Sequence, residues 1–317
     1  MSRNYGLDIF RIMCCLGVLN YHVMDDVLQI GGAYVLYYGS SFCVPGFFLL
    51  SGYLLSGKKA VSIQYIEDKI ASTIVKLFGW IIFWAIIHFA CTGEYRDIWN
   101  DFTAGVGAGG TLPVSWFLFT YMFILILAYP LSAMQNKYES AFNVLAITWF
   151  LLLAVGFGKS IVISRPQSLW IHLYAGYFIV GMLLHKLESR FMERKSAVII
   201  VSAIILVLSS AVYAQNYQVG APHQHYGTWY YSAWLISLFM VLTNVRIQNI
   251  KIGEIIKRIG GNTFSVYLGH LPLLLWFTGI RPLRTLSEAV CMVIFLFISM
   301  EVLSEVFKRL PVLQKIV

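Results

Sequence analysis

The sequence predicts an all-α fold: a polytopic membrane protein built as one domain over residues 1–317, a bundle of about ten transmembrane helices with both termini in the cytoplasm. Three observations lead there. Of 317 residues, 59% are hydrophobic and only 12% charged, against about 25% charged in a soluble domain, and mean hydropathy is +0.73. Apolar residues gather into windows that each approach the roughly 20 residues a helical span needs. Lys and Arg are shared unequally between the two sets of connections.

The first window, 7–25, reads LDIFRIMCCLGVLNYHVMD. Asp8 and Arg11 lie inside it and no small-x-small site follows, so it is expected to stay in the mature chain and not to be cleaved as a signal peptide. Window 34–56 contains Pro45-Gly46, which is expected to bend or interrupt the helix. Windows 70–91, 112–131 and 140–157 follow as apolar runs, the first holding Lys76. The next are 168–185, 196–214 and 227–245, then 262–280 with Pro272 inside it, and last 286–305. The longest connection, 92–111, carries Gly105, Gly107, Gly109 and Gly110 and reads either as the lining of an entrance or as slack chain.

With the N-terminus inside, sixteen of the 23 Lys and Arg fall in inside segments and five outside, namely Arg96, Lys159, Arg165, Arg281 and Arg284; Arg11 and Lys76 lie within spans. Lys and Arg near span ends resist translocation, which orients the chain. The same distribution accounts for the net charge of +8 and excludes a nucleic-acid partner in favour of the lipid bilayer. Cys14, Cys15, Cys43, Cys91 and Cys291 show no paired spacing and read as small apolar residues. No metal site and no bound cofactor are expected: His223 and His225, beside Tyr226, make a poor donor set and read first as a solvated loop. Oligomeric state is open.

Ionisable side chains in hydrocarbon cost several kcal/mol unless paired or hydrated, so they point to a cavity and a function. Arg11 and His22 are eleven residues apart, about three turns, which leaves them on nearly one helix face and about 16 Å apart along the axis. Asp8 is spaced to pair with Arg11, and Asp25 and Asp26 stand one turn beyond His22, where a carboxylate would set its tautomer. The competing reading has Arg11 snorkelling and His22 closing a hydrogen-bond network. Ser51-Gly52 reads first as a close helix approach, Trp116 as an interfacial anchor, and His270 as a buried histidine bonded to a hydroxyl near Tyr267.

Taken in order, four strings resemble the membrane-bound acyltransferases of acyltransferase family three. They are Arg11 and His22 behind Leu7-Asp8, Phe47-Phe48-x-x-Ser51-Gly52, Trp116-Phe117, and Asn262-Thr263-x-Ser265-x-Tyr267-Leu268-x-His270. The stretch SLWIHLYAGYFIVGMLLHK is similar to the family's sixth span. Where the family often has several arginines and a proline after span two, this chain has Lys69 and Lys76. The resemblance implies an enzyme of the bacterial inner membrane. It would move an acyl group, acetyl by default, from cytoplasmic acetyl-CoA or another acyl-CoA to a hydroxyl of a cell-envelope glycan or its lipid-linked precursor.

On that reading His22 is the general base; its orientation by Asp25 or Asp26 is expected from their spacing and not from the family's motifs. Arg11 serves the CoA phosphates or charge at the thioester; Lys58, Lys59, Lys69 and Lys76 gather the phosphates; and Ser51, Gly52, Trp116, Tyr267 and His270 line the substrate pocket. The rival reading keeps the bundle as a small-molecule or lipid-linked-sugar transporter, for which paired broken spans would be the sign; a scaffold subunit is a weaker third.

Overall fold

The computed structural model describes residues 3–58, 61–107, 109–110, 112–155, 171–216 and 225–317. Within these the chain is helical, and an isolated Val155–Thr228 bridge is the sole β pairing among them. The helices are α1 (Tyr5–Asp25), α2 (Ala33–Gly39), α3 (Cys43–Ser56), α4 (Ile63–Thr92), α5 (Ile98–Ala104), α6 (Trp116–Lys137) and α7 (Glu139–Ala154). After them come α8 (Ile171–Lys186), α9 (Glu188–Glu193), α10 (Lys195–Asn216), α11 (Trp229–Thr243), α12 (Ile250–Ile280) and α13 (Leu286–Arg309).

Seven stretches among the described residues are long and apolar enough to cross a membrane: α1, 33–56, α4, 113–137, α10, α12 and α13. This is a multi-pass membrane protein. The other three windows also hold helices, but α7 and α8 have 16 residues and α11 has 15. Windows 140–157 and 168–185 run into 156–170, outside the described residues. The long helices α4, α10 and α13 bury little of their apolar surface, whereas α1, α12 and the 33–56 stretch bury half or more. Helix α8 is buried on all sides from Leu173 to Met182, the pattern of a helix enclosed by others and not of one facing lipid.

Helix starts follow ordinary capping chemistry. The Ser62 hydroxyl accepts from Tyr65 N–H, Asn249 Oδ1 from Ile252 N–H, and Thr285 Oγ1 from Glu288 N–H. Span two breaks earlier than Pro45-Gly46 suggests. The interruption lies at 40–42, and Pro45 sits in the first turn of α3, where its missing N–H costs nothing. Side chains hold the break: Asn20 Nδ2 donates to Leu36 O (2.9 Å), which also takes the Ser40 N–H, and to Ser40 Oγ (2.6 Å), and the Tyr231 hydroxyl donates to Ser41 O (2.9 Å). Irregular backbone at membrane depth requires such protein partners. Gly46 then lets α3 cross close to α1, since a Cβ there would lie 2.8 Å from Cys14 Sγ.

Helix α12 continues through Pro272 and begins twelve residues before its apolar window. Helix α12 therefore offers no break to pair with the one at 40–42. The described part of the glycine-rich connection is packed and not slack. Its helix α5 is capped by Asp97, Phe102 stacks on Phe78 at 4.4 Å, and Gly105 abuts the Ser115 side chain. Cys14, Cys15 and Cys43 are buried as expected, while Cys91 and Cys291 are exposed. A turn at Leu313–Ile316 docks on α4, where Trp80 Nε1 donates to Ile316 O at 3.0 Å.

Candidate active site

Helix α1 packs against α3, α11, α12 and α13, so its polar face looks into the bundle. Near its start, Asp8 is 4% exposed, and a buried carboxylate needs compensation. It receives two cations. Arg3 takes the nearer contact, with Nε 2.8 Å from Oδ2 and Nη2 3.0 Å from Oδ1; Arg11 Nη1 stands 3.8 Å from Oδ1. The hydrogen bond from Arg3 to Asp8 holds the Arg3 guanidinium above its ordinary range. Gly260 of α12 faces this carboxylate, where a Cβ would meet Asp8 Oδ1 at 3.4 Å. The pair spaced for Asp8 and Arg11 is thus a triad, and its third member precedes the helix.

Toward the other end of α1, His22 is half-buried and faces His270 of α12, with ring centroids 5.4 Å apart. His270 is fully buried. Its Nδ1 lies 2.7 Å from Tyr267 O and 3.2 Å from Val266 O. Both partners are carbonyl oxygens and only accept, so Nδ1 carries the hydrogen and Nε2 presents a lone pair. Nε2 has no hydrogen-bond partner among the described residues. A fixed, unused acceptor therefore stands beside the ring of His22.

Asp25 and Asp26 are exposed at the end of α1, and no hydrogen bond joins either to His22. Partial burial and the neighbouring Asp25 raise the Asp26 carboxyl above the ordinary range. What faces the His22 ring is a histidine from a distant span. Tyr21, next to His22, instead stacks on Tyr37, whose hydroxyl donates to the Tyr21 hydroxyl at 2.9 Å.

Around this pair the motif strings converge. Tyr267 is buried and its hydroxyl donates to Val114 O at 2.7 Å, fixing the turn Pro113–Ser115 from which α6 starts. Its ring packs on Phe117 at 5.2 Å and near Phe47 at 6.3 Å. Trp116 is buried against Tyr174 of α8 at 5.8 Å, not at an interface, and Tyr174 stacks on Phe48 at 4.7 Å. Ser51 is half-buried and its hydroxyl donates back to Phe47 O at 2.7 Å. Gly52 has a packing position: a Cβ there would lie 2.7 Å from the Phe178 carbonyl carbon, and one on Gly181 would lie 2.9 Å from that of Leu49. These two glycines bring the backbones of α3 and α8 together.

The lysines separate. Lys58 Nζ lies 3.9 Å over the ring of Tyr65 and Lys69 Nζ lies 6.0 Å from it, so the end of α3 and the start of α4 share one aromatic platform. Tyr121 of α6 lies parallel to Phe117 with ring centroids 6.4 Å apart. Lys76 points elsewhere, donating to Val317 O at 2.6 Å beside Phe264. Lys59 lies outside the described residues, as does His223. His225 is not in a solvated loop: it is 2% exposed and its Nδ1 is 2.9 Å from the Tyr230 hydroxyl.

Residue-by-residue reading missed Arg3, Tyr65, Tyr121 and Tyr174. It also missed Glu301 and Glu305 of α13, to which Asn262 Nδ2 donates at 2.6 and 3.0 Å. A carboxylate pair one turn apart in an apolar span was the available signal.

The arrangement holds an imidazole next to a locked acceptor inside an aromatic enclosure, with cations at the Arg11 end of the same helix. Proton transfer at one end and anion binding at the other is what such groups do. The model of the family described as "Acyltransferase domain" matches residues 4–304, and the chain belongs to that family. No curated protein and no solved structure matches it.

Proposed function

We propose that this membrane acyltransferase moves an acyl group, acetyl in the first instance, from cytoplasmic acyl-CoA to a hydroxyl of a cell-envelope glycan or its lipid-linked precursor, at the bacterial inner membrane. The observation that carries the reading is the His22–His270 pair, with its ring separation of 5.4 Å and the single tautomer its carbonyl partners allow to His270.

His270 is the positioning residue. Its unpaired Nε2, beside the ring of His22, becomes the acceptor for the His22 N–H once the substrates bind, which leaves the other His22 nitrogen with a lone pair, the role first assigned to Asp25 or Asp26. That nitrogen takes the proton of the acceptor hydroxyl as the oxygen attacks the thioester carbonyl carbon. The tetrahedral intermediate then collapses. The carbon–sulfur bond breaks, the departing CoA thiolate receives the proton from His22, and the new ester carries the acyl group.

Arg11, about 16 Å from His22 along a helix rising 1.5 Å per residue, contacts the donor on the side of the Tyr65 platform, where Lys58 and Lys69 collect its phosphates. With both termini cytoplasmic, the donor approaches from inside and the acceptor from outside, and only the acyl group crosses. Sealed inside-out and right-side-out vesicles supplied with radiolabelled acetyl-CoA test this. Label enters the glycan or lipid fraction in inside-out vesicles alone; equal labelling by right-side-out vesicles overturns the sidedness, and label absent from both fractions overturns the acceptor class.

A further inference from the structure

A second concave site lies at the Arg11 end of the bundle. It is a cavity of about 630 Å³ bounded by the N-terminal arm, the ends of α3, α8 and α11, helix α9, the start of α10 and the segment 244–248. That volume falls in the range of small-molecule sites, about 300–1,000 Å³. Four charged residues other than its aromatic and amide walls line it: Arg3, Lys195, Arg246 and Glu188. Arg3 is committed to Asp8, and Glu188 Oε2 is turned to His185 Nδ1 at 3.4 Å. Lys195 and Arg246 remain. Both line the one cavity, Lys195 half-buried and Arg246 exposed at its mouth, and neither has an ion pair among the described residues.

Orientation of the chain asks only that cations lie on one side of the membrane; it does not ask two of them to converge on one cavity. Convergence of unpaired like charges is unfavourable until an anion lies between them. A guanidinium fork beside a compact ammonium is the donor set that grips a tetrahedral oxyanion, the fork binding two oxygens and the ammonium acting as a point charge. Tyr53, 7% exposed, supplies an apolar wall.

We propose that this cavity is a binding site for a phosphate-bearing anion, held between Lys195 and Arg246 and separate from the Lys58–Lys69 platform. Two sources present that chemistry at the membrane face: the phosphorylated nucleotide end of acyl-CoA and the headgroup of an anionic phospholipid. Only the first rests on the acyl-CoA reading above, and neither depends on His22.

The full-length chain in phosphatidylcholine nanodiscs is titrated with adenosine 3′,5′-bisphosphate, and separately with increasing phosphatidylglycerol in the disc, the bound lipid being counted by native mass spectrometry. Wild type, Lys195→Gln/Arg246→Gln and Lys58→Gln/Lys69→Gln are compared. The expected result is a loss of at least tenfold in affinity in one of the two titrations for Lys195→Gln/Arg246→Gln, with Arg246→Lys losing less. Loss in the nucleotide arm names the donor as occupant, and loss in the lipid arm names the headgroup. Unchanged binding in both arms, with the variant folded by its melting temperature, overturns the site. Failure of His22→Ala to affect acyl transfer would overturn the catalytic reading and leave this result untouched.

Discussion

Replacing Gly52 by alanine adds one methyl group where α3 crosses α8. The new Cβ falls 2.7 Å from the carbonyl carbon of Phe178 and nearer still to its oxygen, whereas carbon atoms rest about 3.5–4.0 Å apart. Backbone cannot rotate out of the way as a side chain can, so the helices must part by about 1 Å. Overpacking of a fitted core costs about 1–3 kcal/mol, and an obstacle made of backbone belongs at the upper end. At about 2–4 °C per kcal/mol for a chain of this order, the melting temperature should fall by about 5–10 °C. Catalysis should suffer too, because α3 carries Phe48 and α8 carries Tyr174, whose rings stack at 4.7 Å; a shift of about 1 Å in a positioned group is enough for a roughly 100-fold loss. Gly181→Ala strikes the same crossing, so the double variant should cost less than the two single costs added. Differential scanning fluorimetry in detergent, with acyl transfer measured on the same preparations, reads all of this. A Gly52→Ala protein with wild-type melting and wild-type turnover would refute the close crossing.

Asp8→Asn leaves Arg3 and Arg11 without their carboxylate; both guanidinium groups are partly exposed, so the expected loss is about 1–2 kcal/mol, at the low end for a broken ion pair, and Arg3→Ala alone should lose less because Arg11 remains, both read from thermal melts. His270→Ala should lower kcat by about 10–100-fold while leaving the KM for acyl-CoA unchanged, and His270→Gln, which restores an acceptor, should recover part of it; a raised KM with intact kcat would remove His270 from its positioning role. Tyr267→Phe deletes the hydrogen bond to Val114 O, which keeps the Trp116 N–H as a partner, for about 0.5–1.5 kcal/mol; hydrogen–deuterium exchange should show faster exchange at the start of α6, and unchanged exchange there would count against the tether.

Much of the fold was legible because burial in lipid imposes a long, simple signal: each apolar window holds a helix. The departures have local causes. Helix α12 starts twelve residues early because its first three turns are polar enough to escape a hydropathy window yet are capped by Asn249 and remain helical. The break in span two lies at 40–42 and not at Pro45, since proline is harmless in a first turn and the break is held by Asn20 and by Tyr231 on Ser41 O, which no local pattern reveals. Seven windows have a helix long enough to span among the described residues; α7, α8 and α11 are shorter, and α8 is enclosed by its neighbours from Leu173 to Met182.

The site was legible in its motif residues and illegible in its partners. Spacing along α1 placed Asp25 and Asp26 within one turn of His22, but one turn onward is also where the helix ends and water begins. The residue that faces His22 comes from α12, and its readiness to accept a hydrogen bond depends on two backbone carbonyls that sequence does not display. Lys76 satisfied the charge pattern expected of a phosphate contact and is instead tied to Val317. Gly52 satisfied the motif, and its reason for being glycine is the carbonyl of Phe178.

The most direct measurement is transfer of label from radiolabelled acetyl-CoA in membranes holding equal amounts of wild-type and His22→Ala protein. The account predicts labelling of the glycan or lipid fraction by wild type, falling by about 10²–10⁴-fold in the variant as expected for loss of a general base. Equal labelling by the two proteins would contradict it.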